Sequence, residues 1–271
     1  MYTPEKTILS TRGHLRIGLQ GAPGSGKTTA ALTFPNPYVI DLDHKLPEGT
    51  PSAPFWDPAF VDSIIPRSKL VIAGKKAPPN TRDAFMSWFM VEHSKFEPEQ
   101  TLVIDSYTML DTAFHSYLTY QPILNTKSEI DTRAGWGFKL DYLRAFFETM
   151  KGCRCNVVMT FHETQKTDVD GEVINKLRPV MQGSFRDHVA GFFTGFYRCH
   201  KDPIEVDANG VKLKGPDGKY KIMPPGTTNG YYWQVQGDEL FDAVNDASIK
   251  VKARYVPATY QSLVEMRKES V

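Results

Sequence analysis

Short apolar runs alternate along this chain with stretches whose apolar residues recur every three or four positions. Leu15-Arg16-Ile17-Gly18-Leu19, Tyr38-Val39-Ile40-Asp41-Leu42-Asp43, Thr101-Leu102-Val103-Ile104-Asp105 and Asn156-Val157-Val158-Met159-Thr160-Phe161 have strand length. Such short, nearly unbroken apolar runs belong to parallel strands covered on both faces. Between them, Thr29–Phe34 reads as the first turns of a helix. Phe85, Trp88 and Phe89 follow a capping Asn80-Thr81. Met109, Leu110, Ala113, Phe114, Tyr117 and Leu118 form a second helical stripe, and Leu140, Leu143, Phe146, Phe147 and Met150 a third. Residues 44–80 are rich in Pro and Gly and predict a loop with a short strand at Leu70-Val71-Ile72. A short helix is expected at 184–192, a strand at Phe196–Cys199 and a last strand at Ile249–Arg254. The alternation predicts an α/β fold built on a mostly parallel, doubly wound sheet.

The texture changes at 200–237. Asn209-Gly210, Asp217-Gly218 and Asn229-Gly230 are hairpin-type turns, flanked by Tyr220–Met223 and Tyr231–Val235. This stretch reads as a β-hairpin insertion within a single domain spanning 1–271.

Composition narrows the class. The 271 residues are 41% hydrophobic and 23% charged, ordinary for a globular chain able to bury a core. A net charge of +1 gives no global nucleic-acid signature, which leaves room only for a local basic patch. No apolar run reaches the ~20 residues of a membrane helix, and Met1-Tyr2-Thr3-Pro4-Glu5-Lys6 lacks the apolar core of a signal peptide. Three cysteines argue against a disulfide framework, and Cys153-x-Cys155 has no partner pair for zinc. The set suits a reducing cytoplasm.

One stretch carries specific chemistry. Gly21-Ala22-Pro23-Gly24-Ser25-Gly26-Lys27-Thr28 fits G-x-x-x-x-G-K-[ST] without mismatch, between a strand-like run and a helical one. Glycines let such a loop turn its backbone N–H groups inward around a phosphate chain, and the helix start adds further donors. Gly21, Pro23, Gly24, Ser25, Gly26, Lys27, Thr28 and Thr29 are therefore the expected nucleotide contacts. Lys27 would reach the β- and γ-phosphates, and the Thr28 hydroxyl would ligate Mg²⁺. No guanine-reading Asn/Thr-Lys-x-Asp motif is present, which favours ATP.

Strand ends supply the rest. Asp105 closes a buried strand well downstream of the loop, where a Walker-B acid belongs, and is the second expected Mg²⁺ ligand. A strand-ending Asp could instead cap the next helix, a job Ser106 or Thr108 could share. Many P-loop ATPases place a catalytic Glu directly after the Walker-B Asp; here that residue is Ser106. The search for a general base moves to the acids after Ile40, and Asp43, at the end of its strand, is the expected water-orienting carboxylate, with Asp41 nearer the strand body. His162, which ends the next buried strand, is placed to touch a γ-phosphate and report to the loop that follows; a purely structural histidine is the competing reading.

Taken together, these segments resemble the RecA-like ATPase core. In that resemblance Lys27 and Thr28 match the Walker A, Asp105 the Walker B, Asp43 the strand-end carboxylate that is normally Glu, and His162 the polar sensor. The resemblance also implies that 163–183, with Lys166, Lys176 and Arg178, holds a DNA-binding loop, with Phe185 and Arg186 at its edge. Lys252-Ala253-Arg254 resembles the K-x-R pair that RecA-like rings insert into a neighbouring subunit's site. The chain is most similar to short, single-domain phage nucleotide-binding proteins of the recombinase or single-strand-annealing type. The expected function is an ATPase using ATP and Mg²⁺, assembling into a ring or filament on single-stranded DNA. The alternatives are an ATP-dependent assembly switch with slow or no hydrolysis and a small-molecule kinase.

Overall fold

The computed structural model describes residues 13–66, 71–72, 75–76, 81–120, 127, 130–164, 177–181, 184–201, 216, 231–237, 241–245, 249, 251 and 255–268. In chain order the strands are β1 (Arg16–Gly21), β2 (Pro37–Asp41), β3 (Ser52–Pro54), β4 (Val71–Ile72), β5 (Lys75–Lys76), β6 (Thr101–Asp105), β7 (Asn156–Thr164), β8 (Arg178–Pro179), β9 (Gly195–His200), β10 (Tyr232–Gln234), β11 (Val244–Asn245) and β12 (Tyr255–Pro257). The α-helices are α1 (Lys27–Ala31), α2 (Pro58–Ile64), α3 (Thr81–Glu92), α4 (Tyr107–Tyr120), α5 (Thr132–Lys151) and α6 (Tyr260–Lys268).

Among the described residues the main sheet runs β12-β10-β9-β1-β7-β6-β2-β3. The block from β9 to β3 is parallel; β10 and β12 extend one edge antiparallel. The loop-bearing strand β1 therefore lies between β7 and β9, and β7 separates it from β6.

Side-chain alternation explains why both faces are covered. Ile40, Leu102, Ile104, Val157, Met159 and Phe161 enter one core, against Phe85, Phe89, Leu110, Phe114, Phe146 and Phe147 of α3, α4 and α5. Leu15, Ile17, Leu19, Val39, Val103 and Val158 enter the other, against Ala30 and Ala31 of α1, Trp233, and Leu263 and Met266 of α6. Phe146 is fully buried and touches the rings of Phe85, Phe89, Tyr107 and Phe147. Its truncation to Ala costs about 3–5 kcal/mol. Capping fixes where α5 begins: the Asp131 carboxylate accepts from the Ala134 N–H at 2.9 Å.

The mixed α/β architecture and its mostly parallel sheet agree with the sequence expectation. Several details differ. The first helix spans only Lys27–Ala31, and β2 stops at Asp41, leaving Asp43 beyond the strand. The Pro/Gly-rich stretch holds β3, parallel to β2, and α2, whose N-cap Asp57 accepts from the Ala59 N–H and is followed by Pro58. Residues 184–192 form two 3₁₀ turns, Ser184–Asp187 and Val189–Phe192. Of the expected last strand, Ile249 and Val251 lie outside any strand, with Ile249 buried in the α1-side core, and residues 250 and 252–254 lie outside the described residues; Tyr255–Pro257, just beyond, pairs with β10. The following α6 was not anticipated, although Leu263, Val264, Met266 and Arg267 have helical spacing and are buried. The antiparallel β9–β10 pair bounds the expected insertion; its turn dipeptides and Tyr220–Met223 lie outside the described residues.

Candidate nucleotide site

The same alternation that splits the two cores selects the residues of one polar cluster. Asp41 continues the parity of Val39, Asp105 that of Val103, and Thr160 and His162 that of Val158, so all project to the face carrying α1. All stand at the C-terminal edge of the sheet, where β1 runs into Gly21–Thr28. In open α/β sheets that edge is where ligands bind.

The loop is built around its glycines. Gly26 has φ +85°, and a Cβ there would also collide with the Tyr231 ring. A Cβ on Gly21 would meet the Ser25 hydroxyl and the Cys199 carbonyl. Gly24, at φ +76°, faces open space, and Pro23 and Thr29 are exposed. Ser25 is buried with its hydroxyl unpartnered. Lys27 folds into the loop, its Nζ donating to the carbonyls of Gly21 at 2.9 Å and Ala22 at 2.8 Å. Burial lowers its pKa, while Cys199, Asp105, Glu163 and Asp43 pull the other way. A third ammonium proton stays available.

Thr28 and Asp105 meet. The Thr28 hydroxyl donates to Asp105 Oδ2 at 2.6 Å, and the Thr160 hydroxyl donates to Asp105 Oδ1. The next peptide bond, Asp105–Ser106, is cis. A hydroxyl and a carboxylate side by side are the donor type Mg²⁺ takes when phosphate oxygens and water complete its shell. Among the described residues no cluster of three or more His, Cys, Asp or Glu could hold a metal unaided. The oxygen pair, the free Lys27 proton and the open Gly24 flank fit MgATP.

Asp43 is the most connected acid at the edge. Its Oδ1 accepts from the Ser106 hydroxyl at 2.8 Å; its Oδ2 faces His162 Nε2 at 3.2 Å and Lys45 Nζ at 3.3 Å. Burial opposes its ionisation, but the hydrogen bonds from His162 and Ser106, with Lys45, outweigh it and hold the pKa down to about 2. Because Nε2 faces a carboxylate, it carries the imidazole proton, and Nδ1 is buried without a partner. Asp41 has another task. Its carboxylate accepts from the backbone N–H groups of His44 at 2.8 Å and Asp43 at 3.2 Å, shaping the turn that presents Asp43. Burial raises its pKa.

Of the expected site residues, the fold thus gathers the loop, Thr28, Asp105, Asp43 and His162 at one edge. Arg178 and Arg186 both approach Asp187 Oδ1, at 3.5 and 3.8 Å. Phe185 is corrected: it is buried against Phe147 and Phe192, so it is core and has no free face for a base. Lys166, Lys176, Lys252 and Arg254 lie outside the described residues.

Sequence reading overlooked four contributors. Ser106, noted only for the Glu it replaces and as a possible cap, anchors Asp43 through its hydroxyl. Thr160 lies two residues before His162 and so on its face, a period-2 signal that was there to use. Lys45 follows Asp43 by two. Glu163 holds Arg198 by two hydrogen bonds, at 2.8 and 2.9 Å, on the opposite face.

No curated protein matches the chain. The model of one family, described as an AAA domain, matches residues 14–245, from just before β1 through β11. That span takes in the whole site and most of the chain, and the protein belongs to the AAA domain family, a family of nucleotide-binding P-loop ATPases.

Proposed function

We propose that the protein binds ATP with Mg²⁺ and hydrolyses it in a RecA-like manner, and that turnover is coupled to single-stranded DNA in a self-assembled ring or filament. The observation that carries the ATPase reading is the hydrogen bond from Thr28 to Asp105 beside the Asp43–His162 pair, on one sheet edge. When bound, Mg²⁺ supplies positive charge to the phosphoryl oxygens. The loop N–H groups and Lys27 hold and orient the phosphates. Asp43, fixed by Ser106 and His162, accepts a hydrogen bond from the attacking water and so aims it. His162 keeps its proton on Nε2 and stabilises the carboxylate.

The DNA reading rests on a direct link. The Val180 N–H donates to the His162 carbonyl at 2.7 Å, and β8 pairs with Glu163 and Thr164, so a shift at His162 moves the segment carrying Arg178. Lys252 and Arg254 would complete the site of a neighbouring subunit.

A specific observation favours a second reading, an assembly switch with slow turnover. A carboxylate held near a pKa of about 2 by three donors is a weak base. ATP turnover measured with and without single-stranded DNA, for wild type and Lys27→Ala, separates the two. DNA-stimulated turnover lost in the variant supports the first. ATP-dependent assembly with neither turnover nor DNA binding replaces it with the second.

A further inference from the structure

The polar groups suited to the terminal phosphate all lie to one side of β1. His162 is on β7, Asp105 ends β6, and Asp43 follows β2, in that order outward from β1. The other side of β1 belongs to β9 and β10. A phosphate chain held by the loop after β1, with its terminal end toward β7, must lead its nucleoside toward β9 and β10.

One aromatic residue waits on that side. Tyr231 immediately precedes β10, and its ring lies against the Cα of Gly26: a Cβ built there would come within 2.3 Å of ring carbons Cγ and Cδ1. Its backbone is fixed, because its carbonyl accepts from the Ala258 N–H at 3.1 Å beside the β10–β12 pairing. The residue is partly buried, packed against the α1-side core where the loop turns into α1. The fixed root and the contact with Gly26 set the ring in place before any ligand arrives. The neighbours Tyr232 and Trp233 point into the structure and are buried, which leaves Tyr231 as the ring presented at the loop among the described residues of this strand.

We propose that Tyr231 forms the nucleoside wall of the site, stacking on the nucleobase of the bound nucleotide. The assignment rests on the ATP-binding reading above. It gives Gly26 a second reason to be glycine: besides its left-handed φ, it leaves room for a ring that must sit close to the phosphates. An aromatic face stacks on any base, so this wall adds affinity for nucleosides over bare phosphates without choosing adenine over guanine.

The test is a pair of ligands that share phosphates and differ in the base. Affinities for Mg²⁺–ATP and Mg²⁺–tripolyphosphate are measured by calorimetry for wild type, Tyr231→Phe, Tyr231→Leu and Tyr231→Ala. Stacking on one base predicts about a 10-fold loss of ATP affinity in the Ala and Leu variants, no loss in Phe, and unchanged tripolyphosphate affinity in all four. Tyr231→Leu keeps apolar bulk over Gly26, so a defect in folding or loop shape shows as lost tripolyphosphate binding in Ala alone. Equal ATP affinity in wild type and Tyr231→Leu overturns the proposal, as does an equal loss for both ligands in Tyr231→Leu. Failure of the wild type to bind either ligand overturns the ATP-binding reading itself.

Discussion

Replacing Asp43 by Asn removes one charge and leaves the side-chain shape nearly unchanged. The side chain is only 6% exposed and has three donors around it, so the change is felt locally. In the folded protein its pKa falls from 3.8 to about 2. At about 1.36 kcal/mol per unit, that shift corresponds to about 2 kcal/mol of native-state stabilisation of the ionised form. Part of it comes from Lys45, which is 62% exposed and contributes little, so about 1–2 kcal/mol is expected. A depressed carboxylate pKa stabilises the fold above the unfolded value, and the contribution is lost as pH falls toward about 2. Urea unfolding should therefore separate wild type from Asp43→Asn by about 1–2 kcal/mol at neutral pH, a gap that closes as pH falls toward about 2. In the same variant, ATP turnover should drop about 10²–10⁴-fold, with Mg²⁺–ATP affinity nearly intact. A stability gap that persists unchanged at low pH would refute the electrostatic account of Asp43. Turnover within ~3-fold of wild type would refute its place in catalysis.

Other positions give independent checks. Gly26→Ala puts a Cβ both at φ +85° and into the Tyr231 ring, so it should abolish nucleotide binding in calorimetry while the far-ultraviolet circular dichroism keeps its α/β form. Lys45→Ala removes the exposed ammonium from Asp43 Oδ2; chemical unfolding at neutral pH should move by less than about 1 kcal/mol. Lys139→Met removes the ammonium that pairs with the Asp111 carboxylate at 2.9 Å between α4 and α5, both side chains almost fully buried; a loss of about 3–5 kcal/mol in denaturant unfolding is expected. Arg254→Ala should cut turnover while nucleotide binding by the monomer stays intact, and equal loss of both removes it from a role in trans.

The parts of the fold legible in the sequence are those that local pattern determines. β6 is legible with both boundaries, because Thr101–Asp105 is a short, nearly unbroken apolar run ending in an acid, the pattern of a strand covered on both faces. α6 and β12 are not, since alternation at Ile249 and Val251 imitates a strand while the actual pairing with β10 depends on a partner distant in sequence. For the site, the loop and Asp105 were legible because strand, loop and helix follow one another in the chain. Asp43 and His162 were placed through their strand ends, but their contact joins residues 119 positions apart and exists only because β2, β6 and β7 are neighbours. Ser106 shows the limit most clearly. Its side chain looked like an absence where a Glu was sought, and only the sheet brings Asp43 to it.

The central claim is that Gly21–Thr28, Asp105 and Asp43 form one ATP-hydrolysing site. Steady-state phosphate release from Mg²⁺–ATP by wild type, Lys27→Ala and Asp105→Asn tests it most directly. The account predicts turnover by the wild type and its loss in both variants, with the fold intact by circular dichroism. Wild-type rates in either variant would contradict it.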